Sequence, residues 1–360
     1  MSTERLVIGS RGSVLALVQA DWVVARLIEA HPGLEVAIEK IATTGDRILD
    51  APLSKIGDKG LFTKELETAL TDGRIDLAIH SAKDVQTVLP VGLVIAAFTR
   101  RAEVRDVFVG VSAERGTRED RSAEHQPPEH QPPEHKRSEH QPAGMDELPH
   151  GAVVGSSSLR RRSQLLGLRP DLRLVDLRGN VQTRLRKIAD EGLDGTVLAA
   201  AGLARLGCSG LAAFVFELDV MLPAAGQGAL AVETRAGDGR VAALVACLDH
   251  EPTALAVRAE RALLAALEGG CQISIGACAE LRDGSSKGPR DGSYDGRELE
   301  LRAYVGSLDG SESVRDAMTA PAGAPEALGE ALAERLRRAG AGRILAALRG
   351  GAGPVPGSAR

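Results

Sequence analysis

His80, Ser81, Lys83 and Asp84 crowd into the stretch "HSAKDV", directly behind an apolar run. An amine beside a carboxylate has more than one use. The two form an ordinary surface pair, or Lys83 serves as a Schiff-base lysine. Asp84 fits a carboxylate that handles protons or stabilises a cation. Spacing alone does not choose between these. The arginines are as uneven. Arg160, Arg161 and Arg162 follow Ser156, Ser157 and Ser158 at a helix start, Arg178 sits in "DLRGN", and Arg184 lies six residues on. Arg205 stands in "GLARLG" and Arg11 just after the first strand. A helix N-terminus with serine hydroxyls attracts anions, and arginines add bidentate grip on carboxylate or phosphate. The set points to a polyanionic ligand, with Arg162, Arg169 and Arg173 read as solvated surface residues. Lys55 and Lys59, among the glycines of "LSKIGDKGLF", also suit anions. Cys271, in "LEGGCQISIGAC", has glycine neighbours that make a bend and leave space beside the sulfur.

The elements that must position these residues alternate. "RLVIGS" reads as a strand, "SVLALVQADWVVARLIEAHP" as an amphipathic helix and "LEVAIEKI" as a strand. A helix is expected from Leu61 to Gly73, and "IDLAIHS" as a buried strand. The plan restarts in "GAVVGSSSLRRRSQLLGL", "LRLVDLRGNVQTRLRKIADEG" and "GTVLAAAGLARLG", each with a polar cluster between strand and helix. In open α/β sheets, ligands bind at that end of the strands. From about Asp249 the character changes to two strands and two helices, which suits a small α+β domain. The chain beyond Leu348 is rich in glycine and proline and reads as frayed.

Bulk properties exclude several classes. A chain of 360 residues exceeds one core and predicts two or three domains. With 2% aromatic residues, the cores must be aliphatic. A net charge of −5 argues against a general nucleic-acid binder. No apolar run reaches spanning length and "MSTERLVIGS" lacks a secretion pattern, so a cytoplasmic location is expected. The 4 cysteines form no close CxxC pair, which disfavours a zinc knuckle. Cys208 and Cys247 read as small core residues, and Cys278 as strand or core. No GxGxxG or Walker motif supports nucleotide binding. His125, His130, His135 and His140 punctuate a proline-rich, charged insert, expected to be a disordered surface loop without a catalytic metal.

Several segments together resemble the porphobilinogen deaminase (hydroxymethylbilane synthase) family. They are "GSRGSVLAL", "TTGDRILDAPLSKIGDKGLFTKELE", "DLAIHSAKDV", "VVGSSSLRRRSQL", "DLRGNVQTRL", "AAAGLARLG", "LPAAGQGAL" and "EGGCQISIGA". The resemblance implies an α/β fold: two periplasmic-binding-protein-like (type II) domains around a cleft, plus a small C-terminal α+β domain. The boundaries expected are 1–100 with 227–246, then 105–222 with the insert at about 114–143, then 249–348, then a tail at 349–360. It implies that Cys271 holds a dipyrromethane cofactor in thioether linkage. It makes Asp84 the catalytic aspartate, with Lys83 beside it. Arg11, Arg160, Arg161, Arg178, Arg184 and Arg205 match family arginines that bind pyrrole acetates and propionates. Ser13, Lys55, Lys59, Ser81, Lys83, Ser156, Ser158 and Gln227 match polar contacts, and Phe62 an aromatic near the rings. The implied activity is stepwise deamination and head-to-tail condensation of four porphobilinogen molecules through a cationic azafulvene. Water then releases linear hydroxymethylbilane. No metal is implied, the chain is expected to be a monomer, and a separate synthase would cyclise the product.

The chain departs from the usual family pattern at a few positions. Val14, Gln86, Val104 and Ser274 stand where proline is common, Ala82 where methionine is common, and Asp58 where glycine is common. Ala102 to Val104 break the usual order close to an expected interdomain hinge.

Overall fold

The computed structural model describes residues 4–47, 60–110, 142–267, 273–283 and 296–350. Lys55, Asp58, Lys59, Cys271 and the insert up to residue 141 therefore lie outside the described residues. The chain opens with β1 (Arg5–Ser10), α1 (Val14–Ala30) and β2 (Glu35–Lys40). Ser13 caps α1, its Oγ accepting from the Ala16 amide at 3.3 Å. Ala20, Val23 and Leu27 recur at helical spacing and bury one face of α1. Next come α2 (Lys64–Thr71), β3 (Leu77–Ser81) and β4 (Leu93–Phe98). Helix α2 begins at Lys64, later than the sequence pattern predicts. Gly60, at φ +73°, turns the chain first, and its carbonyl takes the amides of Thr63 and Lys64.

After a crossing over 99–105 the chain forms β5 (Asp106–Gly110), β6 (Val153–Gly155), α3 (Leu159–Leu168) and β7 (Arg173–Val175). Then follow α4 (Val181–Asp190), β8 (Gly195–Ala199), α5 (Ala200–Arg205) and β9 (Phe214–Val215). A second crossing over 216–229 returns it to β10 (Leu230–Arg235) and α6 (Gly239–Val245). The first sheet has the order β2-β1-β3-β10-β4 and the second β7-β6-β8-β5-β9. Each holds three parallel strands, then one antiparallel strand that arrives by a crossing. This repetition of one plan is the paired α/β architecture the sequence predicts.

Both sheets are covered mainly by aliphatic side chains. Leu6, Ile8, Leu77, Ile79 and Val232 pack with Val23, Leu27 and Val241 in the first. Val154, Leu165, Val197 and Phe108 form one core of the second, and Val107, Leu177, Ile188 and Leu198 another. Each such fully buried side chain contributes about 1.5–3 kcal/mol.

The last unit has α7 (Glu251–Ala266), β11 (Ile275–Asp283), β12 (Arg297–Gly306), β13 (Ser313–Pro321), α8 (Pro325–Leu336) and α9 (Gly342–Gly350). Three strands and three helices replace the expected two and two. Gly340, at φ +108°, breaks the single long helix expected after Ala324. Helix α9 also runs to Gly350, past the expected fraying point, and Arg349 Nη2 donates to the Leu267 carbonyl at 3.1 Å.

Glu260 ties this unit to both crossings. Its carboxylate is fully buried and accepts from Arg101 Nη1 at 2.6 Å, the Gly226 amide at 2.6 Å and the Ala279 amide at 2.7 Å. Cys278 is buried on β11, as predicted, but Cys247 is exposed and Cys208 only half-buried. Both end up near helix ends, where each thiol donates to a carbonyl. Among the described residues, no helix is long and apolar enough to cross a membrane.

Candidate active site

Strand β3 ends in a 3-10 turn, Ala82–Asp84, that carries Lys83 and Asp84 out of the sheet. The return crossing packs against it. Gly226 sits at φ +76°, where a Cβ would meet the Ala82 and Lys83 backbone at 3.0 and 3.1 Å. His80 faces the sheet interior and pairs with Glu233 at 2.9 Å, both side chains being almost fully buried. Its place in the polar cluster is thus structural. Beside the turn lies a cleft, open to solvent, lined by Arg11, Ser13, Leu15, Ala16, Gln19, Phe62, Ile79, His80, Ser81 and Asp84. Arg11, Ser13, Phe62, Ser81 and Asp84, all singled out by the resemblance, therefore share one cleft.

Two polar residues of this half escaped sequence reasoning. Asp46 accepts from Arg11 Nη2 at 2.5 Å and Nε at 3.2 Å, while the Arg11 guanidinium lies 4.2 Å over the Phe62 ring. Burial pushes the Asp46 carboxyl up, but Arg11, helped by Thr43, outweighs this and holds it below the usual range. Gln19, only 4% exposed, donates to Ser81 Oγ at 3.2 Å. A glutamine on the buried face of α1 was the available signal.

The second half contributes cations. Arg160 Nη1 donates to Asp106 Oδ2 at 2.8 Å and to the Leu222 carbonyl at 2.7 Å. Arg161 Nη2 donates to Asp106 Oδ1 at 2.7 Å and its Nη1 to the Val197 carbonyl at 2.9 Å. Asp106 is fully buried, and its pairing with the two arginines overcomes the burial and holds it far below the usual carboxylate range. Gln227 donates Nε2 to the Val104 carbonyl at 2.7 Å and to Asp106 Oδ1 at 2.9 Å. Arg205 Nη2 holds the Gly228 carbonyl at 2.6 Å, and burial lowers its pKa. Arg184 Nε holds the Gly179 carbonyl at 2.8 Å. Burial, then the charges of Arg161 and Arg178 against that of Asp84, bring Arg184 to about 10, still a cation at neutral pH.

Ser156 is buried, its Oγ accepting from the Ser158 amide at 3.4 Å, and Ser158 begins α3 without a side-chain cap. Arg162 and Arg169 are not the solvated residues expected: Arg162 reaches the Ser156 carbonyl at 3.2 Å and Arg169 chelates Asp171. Arg173 is exposed, as expected.

The two halves meet electrically at Lys83. Burial pushes its ammonium down to about 8; Asp84 and Asp106 oppose that, while Arg161 and Arg160 add to it. Three buried polar atoms here have no partner among the described residues: Arg161 Nε, Arg178 Nη1 and Gln227 Oε1. Buried donors and acceptors left unpaired are costly and rare. Two donors and one acceptor suit a ligand carrying carboxylates and N–H groups, as a dipyrromethane does. Among the described residues, no group of three or more His, Cys, Asp or Glu side chains is placed to hold a metal ion.

Comparison with known proteins agrees with this chemistry. Residues 6–243 match the family model "Porphobilinogen deaminase, dipyromethane cofactor binding domain", and residues 254–338 match "Porphobilinogen deaminase, C-terminal domain". The chain is 47% identical to the porphobilinogen deaminase of Desulforudis audaxviator over 347 residues, 96% of this chain and 99% of that one. It is 46% identical to that of Syntrophotalea carbinolica over 348 residues, 97% of each. Solved structures with similarity include a nutrient-binding protein from Burkholderia cenocepacia bound to methionine, at 14% identity and TM-score 0.39, covering 68% of this chain and 91% of that chain. The methionine-binding protein MetQ, at 12% identity and TM-score 0.39, covers 68% of this chain and is itself covered to 89%.

Proposed function

We infer the working of the cleft from one premise: the chain belongs to the porphobilinogen deaminase family. It is a transferase of tetrapyrrole biosynthesis that condenses porphobilinogen and releases linear hydroxymethylbilane and ammonia. Its cofactor is dipyrromethane, which we assign to Cys271. When bound, that group supplies an electron-rich pyrrole carbon as the first nucleophile.

The chain's own residues divide the remaining work. Asp84 lies in the cleft, where its carboxylate accepts pyrrole N–H bonds and stabilises the cation left on the substrate methylene as ammonia departs. Its Oδ atoms also receive a proton given up later. Arg161, Arg178 and Arg184 hold acetate and propionate groups, aided by Lys83 below pH about 8. Arg11, Ser13, Phe62 and Ser81 line the first half of the cleft, and Gln19 orients Ser81. Arg160, Arg205, Ser156, Ser158 and Gln227 shape its second half. Lys55 and Lys59 add positive charge from a segment outside the described residues. The observation that carries this reading is the trio of unpaired buried atoms, Arg161 Nε, Arg178 Nη1 and Gln227 Oε1.

The division into units 1–100 with 227–246, 105–222 and 249–348 belongs to the same reading. So do a cytoplasmic location, a monomeric state and a separate cyclising synthase as recipient of the product. Intact-protein mass spectrometry beside a Cys271→Ser variant tests the centre of it. Wild type should carry added mass equal to two linked pyrrole units, and the serine variant none. Unmodified wild type that stays unmodified after incubation with porphobilinogen would overturn the assignment of Cys271.

A further inference from the structure

Asp106 was not among the residues the sequence singled out, yet it touches three that were. It is the first residue of β5, where the first crossing enters the second sheet, and its carboxylate is 0% exposed. Arg160, Arg161 and Gln227 all donate to it. A guanidinium is planar, so fixing two of its N–H directions fixes the rest. Arg161 spends Nη2 on Asp106 and Nη1 on the Val197 carbonyl, which leaves Nε as a donor of fixed direction. A primary amide is planar too. Gln227 spends Nε2 on Asp106 and the Val104 carbonyl, which leaves Oε1 as an acceptor of fixed direction. One carboxylate therefore sets two of the three unpaired buried atoms, one donor and one acceptor.

We propose that Asp106 is a positioning residue for the condensation, aiming the Arg161 N–H at a substrate carboxylate and the Gln227 carbonyl at a pyrrole N–H. The proposal rests on the reading of the cleft given above. A buried pair of arginines without a counter-charge would repel each other and Lys83. Asp106 cancels one of their two charges and leaves the other for the ligand. The groups acting on Lys83 are Asp84 on its own turn, Arg160 and Arg161 on α3, and Asp106 on β5. Asp106 supports the Lys83 cation, so its removal should shift Lys83 further down.

The test compares Asp106→Asn with Arg178→Gln, a variant of the one unpaired group Asp106 does not touch. If Asp106→Asn does not fold, Asp106→Asn with Arg160→Gln restores charge balance while still depriving Arg161 and Gln227 of their carboxylate. The readouts are KM for porphobilinogen and the alkaline limb of kcat/KM against pH, which reports the free enzyme. We expect KM to rise about ten-fold or more, and the limb to move to lower pH than in wild type. In folded Asp106→Asn, a KM or a limb that stays at its wild-type value overturns the proposal, whatever the melting temperature; in the double variant, where the lost charges of Asp106 and Arg160 offset each other at Lys83, an unchanged KM overturns it. An unchanged KM in Arg178→Gln would instead overturn the reading of the cleft itself.

Discussion

The two α/β halves share a strand order but divide the chemistry unequally. The first half presents both signs at its strand ends. Arg11 is already paired with Asp46, and Lys83 stands beside Asp84. The second half presents Arg160, Arg161, Arg178, Arg184 and Arg205, with one buried carboxylate, Asp106, drawn into its arginine pair. The helix starts differ as well. Ser13 uses its hydroxyl to cap α1, whereas Ser158 opens α3 without capping it. On the function proposed above, a repeated scaffold supports a reacting half, whose described strand-end charges nearly balance, and a gripping half with cations to spare. Excess positive charge suits a ligand whose carboxylates accumulate as units are added.

Substitutions can break or sharpen that contrast. The largest effect is expected at Asp84. Asp84→Asn should lower kcat by about 10²–10⁴-fold, with little change in KM, measured by steady-state turnover. Equal losses in Asp84→Asn and Arg178→Gln kinetics would erase the distinction between the halves. Next is Lys83. Its amine is a cation below about 8 and neutral above, so kcat/KM should fall as pH rises through that value. Lys83→Arg, which stays charged, should remove the limb; a limb that persists would assign it to another group. The smallest effect concerns the caps. Ser13→Ala should cost about 1 kcal/mol in denaturant unfolding, while Ser158→Ala should cost close to none and act on KM instead.

Much of this was legible in the sequence. Strand β1 falls where "RLVIGS" predicts it, and α1 lies within its predicted stretch, because one is a short apolar run and the other repeats its buried residues at helical spacing. The strand-end clusters were legible as well, since serine, arginine and glycine gather there. The misses share one cause. Asp106, Asp46, Gln19 and Glu260 each have a side-chain partner between 35 and 159 residues away, and no local pattern announces such a pair. Strand β13 was missed because "SVRDAMTAP" mixes alanine, methionine and aspartate on its inward side and gives no clear alternation. Two arginines expected in solvent instead found carbonyls and carboxylates, which composition cannot foresee. Ser274, in place of a common proline, is fully buried, and its Oγ has no partner among the described residues; the structure offers no reason for it.

The exchange of strands between the sheets has a consequence for how the protein is made. β10 lies between β3 and β4, and its last residue is Arg235. On a ribosome, the first sheet therefore cannot close when its own first four strands have emerged. β4 must wait, with its edge unpaired, until the whole second half has been synthesised and the chain has come back. A nascent chain stopped before Leu230 has a finished second sheet beside an open first one. Domains that fold as they emerge usually do so from the N-terminus onward. Here the order is reversed, and the half that carries Asp84 is the last of the two to be completed.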